Sequence, residues 1–124
     1  MNIQNDCEII ESVNEHGYKK ETKIIGNRKY VTVWYTNGNK FYEKEYKDGK
    51  REGKWIYWYE NGNKQYEDEY KDGKEEGKWT GWWENGDKLY EQKYKNGKRE
   101  GKCIWWYIDG TKKEEEYKDG NLII

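Results

Sequence analysis

Along most of this chain, β-forming and aromatic side chains gather in runs of about six residues, charged residues punctuate them, and the arrangement then starts again. Lys54-Trp55-Ile56-Tyr57-Trp58-Tyr59 is rich in β-formers, Asn61-Gly62 is a hairpin signal, and Lys64-Gln65-Tyr66-Glu67-Asp68-Glu69-Tyr70 sets its two tyrosines at even spacing. Two short strands joined by a turn are predicted. A second turn follows at Lys71-Asp72-Gly73-Lys74-Glu75-Glu76-Gly77, where glycines supply the positive φ of a tight return. Strand, turn, strand, turn makes an antiparallel meander.

The arrangement has a fixed period. Gly38, Gly62, Gly86 and Gly110 lie 24 residues apart, as do Trp34, Trp58, Trp82 and Trp106 and, beside them, Tyr35, Tyr59, Trp83 and Tyr107. Tyr42, Tyr66 and Tyr90 keep the same step, as do Tyr46, Tyr70 and Tyr94, until the last copy loses one residue and Tyr117 arrives 23 after Tyr94. Self-similarity of this kind marks a repeat array whose units stack on one another. The expected fold is all-β, an elongated single-layer antiparallel meander of repeated hairpins. Its expected parts are N-terminal capping strands over 1–29, about four 24-residue repeats over 30–120 and a C-terminal cap over 121–124. Within the first part, His16-Gly17 and Gly26-Asn27 read as turns. At a strand spacing of about 4.8 Å each repeat advances the ribbon by roughly 10 Å.

Composition fits a folded array. Low hydropathy with 40% charged residues would suggest disorder, but 8 Trp, 13 Tyr and 1 Phe oppose it, because disordered segments are poor in aromatics. The chain has no Ala and no Pro, and between Trp34 and Lys102 its only aliphatic residues are Ile56 and Leu89. The remaining aliphatics gather at the ends, Ile3, Ile9, Ile10 and Val13 among the first and Leu122, Ile123 and Ile124 among the last, where an array needs caps. With a net charge of -1, basic residues are interspersed rather than accumulated, which argues against direct nucleic-acid binding through a basic face. The first residues lack a basic and an apolar region of a secretory signal, so a cytoplasmic location is expected. Cys7 and Cys103 have no companion at ligand spacing and read as free thiols.

Candidate chemistry is sparse. His16 is the sole histidine and Ser12 the sole serine, with no nucleophile and base pattern around them, so no enzyme is expected. The acidic groups Glu43/Glu45, Glu67/Asp68/Glu69 and Glu114/Glu115/Glu116 recur among lysines and read as a solvated strand face with cross-strand ion pairs. Asp48-Gly49, Asp72-Gly73 and Asp119-Gly120 lack the ligand series of a calcium loop, and Asn96 replaces Asp in the third copy. Neither a metal nor a cofactor is expected. The lysines of these turns form a stripe that would suit anionic head groups, but Glu52, Asp72, Glu75, Glu76 and Glu100 lie among them.

The aromatics therefore carry the functional expectation. Adjacent positions such as Trp58 and Tyr59 point to opposite faces of a strand, so both faces bear aromatic rows. Positions repeated in every copy suit stacking between repeats, and specificity belongs where copies differ. Partner contacts are expected from Phe41, Tyr57, Trp58, Trp82, Trp105, Trp106 and Ile108, with Glu67 and Glu69 flanking them. The register depends on the turn. A two- or four-residue loop at Asn61-Gly62 sets Trp55, Tyr57 and Tyr59 with Tyr66 and Tyr70, whereas a three-residue loop sets Ile56 and Trp58 with them.

The stretch Tyr66-Glu67-Asp68-Glu69-Tyr70-Lys71-Asp72-Gly73-Lys74-Glu75-Glu76-Gly77-Lys78-Trp79 resembles a MORN repeat, Tyr-x-Gly-x-Trp-x-x-Gly-x-x-x-Gly-x-Gly, in the bacterial variant of the MORN-repeat antitoxins. Asp68 stands in place of the first Gly, Tyr70 of the Trp and Trp79 of the last Gly. The resemblance covers about residues 30–120 and implies a hairpin ribbon used in membrane association, protein scaffolding or, in bacteria, toxin neutralisation. The expected function is a non-catalytic protein that sequesters a partner such as a toxin or nuclease through an exposed aromatic face. The alternatives are carbohydrate or phospholipid head-group binding at a membrane surface, and self-association into a scaffold.

Overall fold

The computed structural model describes residues 7–124, so Ile3 and the start of the expected N-terminal cap lie outside the described residues. Fourteen strands follow in chain order: β1 (Cys7–Val13), β2 (Lys19–Ile25), β3 (Arg28–Trp34), β4 (Lys40–Lys47), β5 (Lys50–Arg51), β6 (Gly53–Trp58), β7 (Lys64–Lys71), β8 (Lys74–Glu75), β9 (Gly77–Trp82), β10 (Lys88–Lys95), β11 (Lys98–Arg99), β12 (Gly101–Trp106), β13 (Lys112–Lys118) and β14 (Asn121–Leu122). All belong to one open antiparallel sheet in which each long strand pairs with its sequence neighbours, while β5, β8 and β11 pair with β4, β7 and β10. The described residues contain no helix. The expected fold class is the one observed.

Two turn chemistries alternate. At Asp48-Gly49, Asp72-Gly73, Asn96-Gly97 and Asp119-Gly120 both central residues have positive φ, near 52° at the first and between 77° and 85° at the glycine. That is the two-residue hairpin whose twist matches the strands, and Asp and Asn are the side-chain-bearing residues that best tolerate it. The interchange of Asp and Asn in the third copy follows from this. The Asn-Gly turns are longer: Tyr59 N–H donates to Asn63 O at 2.8 Å and Gly62 N–H to Tyr59 O at 3.0 Å, leaving a three-residue loop with Gly62 at φ 93°.

The register combines the two alternatives left open by the sequence. Beside the loop Trp58 pairs with Lys64, as a three-residue loop requires, but the register then shifts and Tyr57 pairs with Tyr66, Trp55 with Asp68 and Gly53 with Tyr70. The residue passed over is Gln65, a β-bulge, and the same shift passes over Phe41 and Leu89 in the neighbouring copies. In the last copy the pairs Trp106 with Lys112 through Gly101 with Tyr117 run without a shift. The residue missing from the 23-residue copy is thus the bulge, and Tyr117 keeps the place opposite Gly101 that Tyr70 has opposite Gly53.

The described residues form no second layer, so burial comes from neighbours in the sheet. Val31, Val33, Trp55, Tyr70 and Cys103 are buried, and Tyr46, Trp55, Tyr70, Trp79 and Tyr94 form a chain of ring contacts with successive centroids 5.1, 5.3, 5.2 and 5.0 Å apart. Offset and edge-on pairs of this kind are worth about 0.5–1.5 kcal/mol each beyond the area they bury. At the two ends Ile9, Ile10, Val13, Leu122, Ile123 and Ile124 remain exposed.

Candidate functional site

Because side chains alternate along a strand, the pairings sort the surface into two faces. One carries the row Tyr42, Tyr57, Tyr66, Gly81, Tyr90, Trp105, each opposite the next across adjacent strands. The other carries Thr32, Glu43, Ile56, Glu67, Thr80, Glu91, Ile104, Glu114 in the same manner. We call them the tyrosine face and the glutamate face.

The glutamate face pairs most of its row of carboxylates with lysines. Glu67 meets Lys64 at 2.6 Å and Lys54 at 3.6 Å, Glu91 meets Lys88 and, at 3.9 Å, Lys78, and Glu114 meets Lys112 at 3.0 Å and Lys102 at 3.8 Å. Hydrogen bonding from Lys64, Lys88 and Lys112 holds these three carboxyls below the ordinary glutamate range. Lys40, Lys64 and Lys88 also lie 5.7–5.8 Å from the ring centroids of Trp58, Trp82 and Trp106 in the next copy. Lysine stems therefore spread over the Trp row, and Glu67, Glu91 and Glu114 are each met by two lysines while Glu43 is met by Lys40.

The tyrosine face is less completely satisfied. Lys44 has its ammonium 4.2, 5.0 and 5.3 Å from the ring centroids of Tyr42, Trp55 and Tyr57, a site lined by three aromatic rings. Burial, then Arg51 and Lys20, push its pKa down. Arg51 stacks over Trp55 and Tyr70 and donates to Tyr70 Oη at 3.2 Å; Arg99 does the same over Trp105 and Tyr117, donating to Tyr117 Oη at 3.1 Å. Between them sits Asp68, whose Oδ1 is buried without a hydrogen-bond partner. Burial and then the neighbouring Glu67 push its carboxyl up to about 6. Desolvation by burial likewise pushes Tyr57 up to about 12 and raises Tyr90. Gly81 occupies the place held by Tyr57 and Trp105 in other copies, and Tyr90 lies over it: a Cβ added there would come within 2.7 Å of Tyr90 Cζ.

The Asn-Gly edge is a ladder with one broken rung. Tyr35 and Tyr59 donate their hydroxyls to Trp58 O and Trp82 O at 2.7 Å, while Asn37 and Asn39 donate to Glu60 O and Asn61 and Asn63 to Glu84 O. In the third copy Trp83 replaces the tyrosine and Asp87 the second asparagine. Asn85 turns to Asp87, and Trp83 Nε1 is buried without a partner. A cavity of about 410 Å³ opens there between Trp83, Trp106, Tyr107 and Ile108.

The expected partner residues fall in three places. Tyr57 and Trp105 are on the tyrosine face, joined by Phe41, which stacks on Tyr35 with centroids 4.7 Å apart. Trp58, Trp82, Trp106, Glu67 and Glu69 are on the glutamate face. Ile108, 85% exposed, is on the last Asn-Gly-type turn, beside the broken rung. No single surface brings all nine together. The sequence reading set Asp68 with Glu67 and Glu69 on one solvated face, but alternation along the strand turns Asp68 to the tyrosine face with its Oδ1 buried; Lys44, Arg51 and Arg99 were given no place among the partner contacts, and the changing series Lys44, Asp68, Gln92 and Glu115 at one repeat position was the available signal. Among the described residues no cluster of His, Cys, Asp and Glu is placed to hold a metal ion.

Residues 51–72 and 75–96 match the MORN repeat variant. Each match runs from a β5-type strand through one Asn-Gly hairpin to the next Asp-Gly turn, so the family unit coincides with the structural one. MORN repeats are generally non-catalytic modules that bind proteins or membranes. No curated protein matches the chain.

Proposed function

We propose that this is a non-catalytic binding protein that sequesters or neutralises a partner protein, in the manner of an antitoxin or other stoichiometric inhibitor, and that the partner docks on the tyrosine face. The observation that carries this reading is the pair of aromatic rows on a single-layer sheet, with no second layer to cover them and with polar groups among the rings that the chain itself leaves unsatisfied. Tyr and Trp present large contact areas at small entropic cost, which suits them to anchor an interface. The opposite face favours the reading indirectly: Glu43, Glu67, Glu91 and Glu114 of its row are already paired with lysines, so that row is poorly suited to imitate nucleic acid towards a nuclease.

Capture of the products of neighbouring genes by the tagged full chain is the test. A complex is expected that Tyr57→Ala with Tyr66→Ala abolishes and Lys54→Ala leaves intact, circular dichroism certifying the fold of each. Absence of any complex, or loss through Lys54→Ala alone, overturns the assignment. Self-association is a second reading favoured by one observation: β1 is an edge strand on which Ile9, Ile10 and Val13 are exposed. Light scattering that gives a monomer at millimolar concentration removes it.

A further inference from the structure

We propose that Asp68, with Tyr66, Trp79 and Tyr90 around it, is a recognition site for an arginine side chain presented by the partner. This rests on the reading of the tyrosine face as the docking surface and names the chemistry that the surface selects. The first observation is the buried, unpartnered Oδ1 of Asp68 amid aromatic rings. A buried acceptor left without a donor is costly, and a carboxylate more so than a neutral group; because Asp68 as a residue is only half-buried, a turn of its carboxyl brings that oxygen to a donor presented from outside, which recovers what folding leaves unmet.

The second observation is the repeat itself. Lys44 stands one period before Asp68 on the same face, and there the chain supplies its own cation to the bed of Tyr42, Trp55 and Tyr57. One copy later Tyr66 takes the place of Tyr42, the pairing of Tyr66 with Gly81 and Glu67 with Thr80 sets Trp79 on the strand beside Asp68, and the ring of Tyr90 lies over Gly81 in the third place, but the lysine has become a carboxylate. The surface that holds a cation from within in one copy is thus set to take one from outside in the next.

The remaining groups around Asp68 leave the role unfilled. Gln92 and Glu115, which follow in the series, accept from the hydroxyls of Tyr94 and Tyr117 at 3.0 Å, and Glu115 also meets Lys113. Arg51 is held by Tyr70 and Trp55, Lys44 by its own rings, and Glu67 points to the other face, paired with Lys54 and Lys64. Tyr57, Tyr70 and Tyr90 feel the charge of Asp68 but do not hydrogen-bond to its Oδ1. Arginine fits better than lysine because a planar guanidinium both stacks on flat rings, as Arg51 and Arg99 do, and forms paired hydrogen bonds to a carboxylate.

The test titrates the full chain, carrying ¹³C-labelled aspartate, with the peptide acetyl-Gly-Arg-Ser-Arg-Gly-amide and with its citrulline counterpart. With the arginine peptide the Asp68 carboxyl resonance is expected to titrate at least one pH unit lower than in the free protein. Asp68→Asn is expected to weaken the peptide at least tenfold, and the citrulline peptide is expected to do neither. An unmoved Asp68 titration, equal binding of the two peptides, or equal affinity of Asp68→Asn overturns the site. The two proposals separate cleanly. A captured partner that binds Asp68→Asn as tightly as the parent defeats the arginine site alone, whereas a positive peptide titration with no captured partner defeats the sequestration reading alone.

Discussion

Asp68 sets an opposition between stability and binding at the scale of one residue. Its carboxyl ionises near 6 in the folded chain against 3.8 when free, so between those values the native state holds the extra proton. Stability therefore falls as pH rises from about 4 to 6, and above that range the ionised group costs about 1–2 kcal/mol, less than the full shift implies because the site is partly open to water. Asp68→Asn should raise Tm by about 3–6 °C at pH 8, by about a third of that at pH 4.5 and by almost nothing at pH 3, as thermal melts at the three values will read. An equal gain at all three would mean that charge is not the cause. Gly81 is the complementary case. Gly81→Ala sets a methyl against the Tyr90 ring and should cost about 1–3 kcal/mol, visible as a lower midpoint in urea. The thiols divide by position as well: Cys7 is exposed and should react with a chromogenic disulfide within seconds, while the fully buried Cys103 should react only as fast as the chain unfolds.

At the scale of elements, the period, the strands and both turn positions were legible because glycine and aromatic series repeat with one step. The division into faces was not. It turns on a bulge whose occupants, Phe41, Gln65 and Leu89, share no chemistry, since a bulge needs an additional residue rather than a particular side chain. The one trace it left was the 23-residue final copy. Removing Gln65 should accordingly keep the fold with a modest loss of Tm, because the last hairpin already runs in that form. Removing Glu67 leaves the bulge in place and turns every side chain between it and the next turn to the wrong face, and cooperative unfolding should be lost. The candidate site was half legible for the same reason: Tyr57 and Trp105 were found as variable aromatics, but without the register nothing placed Asp68 among them.

For the whole molecule, stability in a ribbon that contacts only along its length is close to a sum of units and their interfaces. Interior strands have a neighbour on each side, whereas β1 has one, and every residue of β1 is exposed. Amide exchange should be slowest in β6, β7, β9 and β10 and fastest in β1 and β14, in a graded profile; uniform protection would contradict the additive picture.

The hydrogen bonds that join successive copies all point one way on each edge. On the Asn-Gly edge the earlier copy gives the donor, as Tyr35 to Trp58 O and Tyr59 to Trp82 O; on the Asp-Gly edge the later copy gives it, as Asp72 N–H to Glu52 and Asn96 N–H to Glu76. Each side of the unit therefore carries donors on one edge and acceptors on the other, and the next copy in series presents the matching groups. Such a chain can be lengthened or shortened by whole copies inserted in series, whereas two ribbons brought start to start with like edges together would set acceptor against acceptor on the Asn-Gly edge and donor against donor on the Asp-Gly edge.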